Sequence, residues 1–114
     1  MNNFKFRVWD TKLLKFIPWN CFINFDDPEY IIHQWTGMVD QNKKDIYKGD
    51  IIETQTLCHK NQIIDIIDFS NNGAFVLRES GYSFYDQIRP LRIIGNIFEN
   101  PELIEKYDLF DDGL

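Results

Sequence analysis

Cysteine is scarce in this chain of 114 residues: Cys21 and Cys58 are the only two, with no Cys-x-x-Cys spacing. That is too little sulfur for a disulfide framework, and two free thiols in a reducing compartment account for the pair more simply than one isolated disulfide does. Histidine is as rare, with His33 and His59 alone. Adjacent Cys58 and His59 would point to opposite faces of any strand, so the few soft ligands are not expected to converge into a metal site. No Cys or Ser is spaced with a base and an orienting third group, which argues against nucleophilic catalysis and gives no reason to expect a cofactor. No apolar run approaches the roughly 20 residues needed to cross a bilayer. Residues 1–10 carry alternating charges and lack the apolar block and small-residue cleavage site of a signal peptide. A soluble, unexported cytoplasmic protein with no membrane partner is the expectation. Internal repeats and low-complexity linkers are also missing, so the 13.7 kDa chain is read as one domain.

Aromatic residues are abundant, at 3 Trp, 5 Tyr and 10 Phe. Each such ring buries about 150–250 Å², so a core built largely on them is expected. The net charge is −6, but residues 99–114 hold six acids against Lys106, which leaves −1 for the rest of the chain. The acidity therefore belongs to a tail, and a locally basic surface remains compatible with it.

Phe4, Phe6 and Val8 alternate with Lys5, Arg7 and Trp9, the period-two pattern of a strand with one buried face. A turn at Asp10-Thr11-Lys12 and a return strand at 13–17 complete an N-terminal hairpin, closed by Pro18. Residues 21–25 read as a short strand and Asp26-Asp27-Pro28 as a turn. Residues 30–35 form a strand that Gly37 ends, 40–44 a polar tip, and 46–50 a turn into the strand 51–57. Residues 62–69 have a helix-like isoleucine spacing, yet their β-branched content and the following Ser-Asn-Asn-Gly at 70–73 favour a strand and hairpin turn. Residues 74–79 pair back, and 82–85 are a further extended piece. The segment 86–90 breaks the pattern before a last strand at 91–98, in which Gly95 marks a bulge or a close backbone approach. Asn100, Pro101 and Glu102 then start a short C-terminal α-helix, docked through Leu103, Ile104 and Tyr107, and residues 109–114 fray. Repeated short strands point to a sheet curled into a barrel or sandwich.

Three blocks, Phe4-Lys-Phe-Arg-Val-Trp-Asp10, Gln34-Trp-Thr-Gly37 with Asp45-Ile-Tyr-Lys-Gly-Asp-Ile51, and Ile94-Gly-Asn-Ile-Phe-Glu-Asn-Pro-Glu-Leu103, stand in one order across almost the whole chain. In that order they resemble the YopX family, small proteins encoded by bacteriophages and prophages. The resemblance implies a mainly β fold with an SH3-like barrel component, an N-terminal β-hairpin and a short C-terminal α-helix. It divides 1–114 into a hairpin region (1–33), a barrel-like core (34–98) and a helix with acidic tail (99–114), in a bacterial host cell. It implies no activity, and the blocks are expected to meet in one sheet. Where this chain has Lys43 the family usually has glycine; if the tip needs a positive φ, Asn42 is the expected carrier.

The candidate sites are binding sites. Lys5, Arg7, Lys12 and Lys15 with Trp9 and Trp19 would make a nucleic-acid face if they shared one side of the hairpin, and the competing reading is a solvated sheet face. Trp35, Tyr47, Tyr82 and Tyr85 make an aromatic patch for a protein partner or simply the core, and the exposed pair Lys43-Lys44 leaves a binding role for the tip. Gly37, Gly49, Asp50 and Gly95 are read as structural turn residues, with Asp50 tying down backbone N–H groups rather than acting as a base. The acidic tail reads as a helix with a solvated face rather than an imitation of DNA phosphate. The functional expectation is a non-catalytic phage accessory module that binds a macromolecule, with protein or a second copy favoured and nucleic acid as the alternative.

Overall fold

Alternation and β-branched content do produce strands. The computed structural model describes residues 5–18, 26–56, 62–69, 74–78 and 88–109, with backbone alone at 56 and 88–90. The elements are β1 (Phe6–Asp10), β2 (Lys15–Ile17), β3 (Tyr30–Val39), β4 (Asp45–Tyr47), β5 (Asp50–Thr56), β6 (Ile63–Phe69), β7 (Phe75–Leu77), β8 (Ile88–Asn96) and α1 (Pro101–Lys106). They form two antiparallel four-stranded sheets, ordered β2-β1-β3-β4 and β7-β6-β5-β8. The protein is mainly β, two antiparallel sheets with one short C-terminal helix, consistent with a small barrel. The three sequence blocks therefore meet across two sheets, not within one.

The turn expected at 46–50 is shorter than its sequence suggests, because residues 45–47 already pair with β3. Lys48 N–H still bonds Gln34 O of the first sheet (3.0 Å), whereas Gly49 N–H bonds Ile67 O of the second (2.8 Å). The chain thus changes sheets within one peptide unit. Gly37 does not end β3; it sits inside it at φ +88, where four steps along β3 oppose two along β4. A bulge with positive φ bends the strand without ending it.

Pro90 is likewise inside a strand, contrary to the break expected at 86–90. Thr56 pairs with Ile88 and Thr54 with Leu91, so β8 spends three steps where β5 spends two. The extra residue forms a bulge on an edge strand, where a missing N–H is tolerated. A second irregularity separates Ile51↔Gly95 from Ile52↔Ile93, which places a bulge at Gly95 as its sequence context suggested.

Isoleucine, not the aromatic set, dominates the described core, with Ile46, Ile51, Ile52, Ile66, Ile67 and Ile97 all buried. The second sheet is covered on both faces. Ile46, Ile52, Ile67, Phe75 and Leu77 fill one side, and Ile51, Ile66, Ile97 and Leu109 lie on the other with Leu103 and Ile104 of α1 against them. Burial on both faces explains the nearly continuous apolar run of β6 and its false helical period. Leu109 is buried and belongs to this docking, while Tyr107, at 38% exposure, does not. The expected strand at 21–25, the turn at 70–73, the piece at 82–85 and the tail beyond 109 lie outside the described residues.

Candidate functional site

The face of β1 that carries Lys5, Arg7 and Trp9 was expected to meet solvent, but most of it packs inward. Trp9 is buried, stacked on Phe98 (5.0 Å between centroids, 11° between planes) and edge-on to Phe16 (5.0 Å, 74°). It has no open face for a base. Arg7 lies beside it with its side chain 15% exposed, and its guanidinium sits 5.0 Å from both the Phe16 and Tyr47 rings.

From there Arg7 reaches across the junction of the sheets. Its Nη1 donates to Asp50 Oδ1 at 2.6 Å and its Nη2 to the Lys48 carbonyl at 3.0 Å, while Nε is buried without a hydrogen-bond partner among the described residues. The other oxygen of Asp50 accepts the Tyr47 N–H at 2.7 Å. Asp50 has 3% of its side chain exposed. Burial pushes its carboxyl above the ordinary carboxylate value; Arg7 and the Tyr47 N–H pull it back without full offset. Asp50 does tie down backbone, as its sequence position suggested, and it also clasps β1 to β5.

Gly49 makes the clasp geometrically possible. It has φ +87, and a Cβ there would stand 2.6 Å from both Cε1 and Nδ1 of His33, which is 1% exposed and lies 4.9 Å from Phe98 between ring centroids. Ile97 N–H closes on Gly49 O at 3.0 Å, so β8 ends against the same peptide. Gly95 is a second close approach, since a Cβ would meet Asn100 Oδ1 at 2.7 Å and Leu103 Cδ1 at 2.9 Å. The Asn100 side chain therefore serves the Asn96 N–H (3.1 Å) and makes no cap bond on its own helix, although it occupies the expected N-cap position.

A cleft of about 430 Å³ opens beside this joint, walled by Arg7, Phe16, Tyr47 and Asp50 on one side and by residues 93–96 with Glu99 and Asn100 on the other. The exposed Lys44 also lines it, while its other charges are largely committed. Lys5 Nζ pairs with Asp45 (3.0 Å) and lies 4.4 Å over the Trp35 ring, and Glu99 accepts from Asn96 Nδ2 (2.9 Å). Trp35 and Tyr47 are cross-strand partners on this face.

The four candidate cations do not form one surface. Lys15 is opposite Asp10 and so shares its face, the reverse of the Arg7 face, and Lys12 stands on the turn 3.7 Å from Glu29. Lys43 and Lys44 are exposed on the tip. Lys43 itself, not Asn42, adopts the positive φ, at +64. The reason is Asp40, which sequence reasoning missed: its Oδ1 accepts Asn42 and Lys44 N–H (2.8 and 2.9 Å) and its Oδ2 accepts Ile93 N–H of β8 (3.1 Å). A loop wound round one carboxylate fixes which residue must turn left-handed. Burial pushes the Asp40 carboxyl up, but the Lys44, Ile93 and Asn42 N–H groups outweigh it and hold the carboxyl below the ordinary value. Gln41 N–H on Leu91 O (2.9 Å) adds to the stitch. Trp19, Cys21, Cys58, His59, Tyr82 and Tyr85 lie outside the described residues. Among the described residues no His, Cys, Asp or Glu group is arranged to hold a metal, and no helix is long and apolar enough to cross a membrane.

The fold is similar to that of a solved structure, the crystal structure of protein EF1440 from Enterococcus faecalis, with a TM-score of 0.65 and 22% sequence identity over 91% of this chain and 99% of that one. No curated protein matches the chain. The YopX protein family model matches residues 15–105, a span from β2 through the joint at Gly49-Asp50 to α1, and the chain belongs to the YopX family.

Proposed function

We propose that the protein is a phage or prophage accessory protein that acts without catalysis, in the host cytoplasm, by binding another protein. The observation that carries this reading is the placement of exposed apolar side chains on braced turns. Leu13 and Leu14 are 60% and 69% exposed at the β1–β2 tip, and Met38 and Val39 are 39% and 48% exposed at the β3 bulge. Scattered surface apolar residues need no explanation. These are paired, and hydrogen bonds hold their backbone: Trp35 Nε1 donates to Met38 O (3.0 Å) and Met38 N–H to Thr36 Oγ1 (3.2 Å). The joint, by contrast, spends its polar groups on holding the sheets together, the behaviour of a scaffold. The nucleic-acid alternative has less support, because Arg7 and Trp9 are turned inward and Lys15 faces away from Lys5.

The test is affinity capture from lysogenic or infected host cells with and without nuclease. Recovery of a defined protein that survives nuclease supports the reading. Capture that disappears with nuclease, and direct binding to nucleic acid that weakens steeply with salt, would replace it with the alternative.

A further inference from the structure

We infer that the β1–β2 tip docks onto the acidic C-terminal segment of a second copy of this chain, an inference that rests on the protein-binding reading above. Thr11 to Leu14 form an unusually fixed turn. Asp10 Oδ1 accepts the N–H groups of Lys12 and Leu13 (2.9 and 3.0 Å), Leu14 N–H bonds Asp10 O (2.8 Å), and Thr11 donates its N–H and its hydroxyl to Glu29 O (both 2.9 Å). The chain cannot easily fold its tip away. Leu14 nevertheless adopts φ +55, a left-handed conformation that glycine or asparagine takes at less cost. A strained, exposed leucine beside a second exposed leucine is a poor solution for stability, and the inference runs from that outlier to a use for the side chains.

The flanks define the occupant. Lys12 and Lys15 are both exposed, and although Lys12 stands 3.7 Å from Glu29 its side chain is largely open to solvent, so the tip presents an apolar centre between two cations and suits a surface that offers apolar contact with carboxylates beside it. The chain itself carries such carboxylates: Glu102, Glu105 and Asp108 are exposed along α1 and its exit, in a stretch, 99–109, whose net charge is −3, and the half-exposed Tyr107, with Lys106 Nζ 5.2 Å over its ring, supplies an apolar contact at the end of the helix. Within one molecule Leu13 and Leu14 stay open, so their own helix does not cover them. Tip to tail is a head-to-tail contact, which builds a ring if the rotation closes and a filament if it does not. Two leucines and two lysine stems make a small patch, so each contact is weak and salt-sensitive, and a ring, where the rotation closes, adds avidity.

Sedimentation velocity on the full chain over a wide concentration range tests this. Expected are species larger than a monomer, with association weakened roughly tenfold between about 0.05 and 0.5 M salt. Leu13→Ser with Leu14→Asn should be monomeric with no loss of melting temperature, since asparagine suits the left-handed position. Lys12→Glu with Lys15→Glu, and separately Glu102→Lys with Glu105→Lys, should each be monomeric, and mixing the two charge-reversed chains should restore association in a 1:1 complex. A native chain monomeric at every concentration, or charge-reversed chains that associate as the native one does, would overturn the inference. If the native chain is monomeric but the Leu13→Ser, Leu14→Asn variant loses a captured host protein, the second copy is excluded while the protein-binding reading stands. Loss of binding to anionic vesicles in that variant, with no self-association of the native chain, would replace both with a lipid surface.

Discussion

Replacing Arg7 with methionine should be among the most damaging single changes available to this chain. Methionine keeps an apolar stem between Phe16 and Tyr47 but removes the cation that faces Asp50, whose side chain is 3% exposed. Breaking a buried ion pair by deleting one partner costs about 3–5 kcal/mol. The Arg7 side chain is 15% exposed, so water has some access from the cleft and the lower end, about 3 kcal/mol, is expected. That is a large part of a total stability of about 5–15 kcal/mol, and at about 4 °C per kcal/mol it lowers the melting temperature by roughly 12 °C. Asp50→Asn alone keeps one acceptor oxygen and leaves a partly hydrated guanidinium, for a loss of about 2 kcal/mol. The double variant has no buried charge, so its loss should fall short of the sum of the two by at least about 1.5 kcal/mol. Urea denaturation of the four proteins measures the cycle. Additivity within about 0.5 kcal/mol would refute the clasp. The pH dependence has a definite sign. The folded pKa of Asp50 lies above its ordinary value of 3.8, so its contribution is fully present below 3.8 and lost as pH rises through the folded pKa. Arg7→Met removes the strongest downward influence on that group. Relative to the native chain, this variant should therefore gain stability on acidification from about pH 7 to pH 5.

Three further outcomes follow from the same geometry. Gly49→Ala combines φ +87 with a Cβ 2.6 Å from a histidine ring that is 1% exposed, and should cost about 3 kcal/mol or more by denaturant unfolding. Asp40→Asn should be destabilised at neutral pH. The folded pKa of Asp40 is below its ordinary 3.8, so its stabilisation is present above 3.8 and lost as pH falls through the folded value; the gap in melting temperature between native and variant should close below about pH 4. Lys43→Gly relieves a left-handed strain of about 1–2 kcal/mol against an entropy loss of about 0.5–1 kcal/mol, so it should be neutral to stabilising by about 1 kcal/mol, whereas Lys43→Val should destabilise.

The strands were legible because their signals are local. Alternation marks β1, β-branched content marks β6, and Asn100-Pro101-Glu102 marks the start of α1. Gly49 and Gly95 were legible as positions that require glycine, but not what each approaches, since His33 and Asn100 reach them only in the folded chain. Arg7 was misplaced for a similar reason. Charge alternating with apolar residues normally reports a solvent face, and only a partner 43 residues away turned that face inward. Asp40 escaped notice because one aspartate at a polar tip is unremarkable in sequence. Its importance comes from Ile93, a β8 residue 53 positions on, whose N–H it accepts.

The residues that build the joint and the exposed apolar residues are different sets. Gly49, Asp50, Gly95 and Phe98 lie within the span 15–105 that the family model matches, and they meet Arg7 and Trp9, which precede it, at the joint, through the clasp, the Trp9–Phe98 stack and the two close approaches at glycine. Leu13, Leu14, Met38 and Val39 make none of these contacts and are the exposed apolar positions at the tip and the bulge; Leu13 and Leu14 precede the matched span and Met38 and Val39 lie within it. A joint that demands a buried ion pair and two glycines without room for a Cβ constrains sequence tightly, whereas an exposed turn held by backbone and Asp10 tolerates any side chain that suits its φ. If the protein works by binding, as proposed, its family pattern identifies the frame and says little about the partner. On that reading partner choice would rest on positions 12–15 and 38–39, so exchanging these between family members should exchange what is bound while the joint, and with it the melting temperature, stays in place.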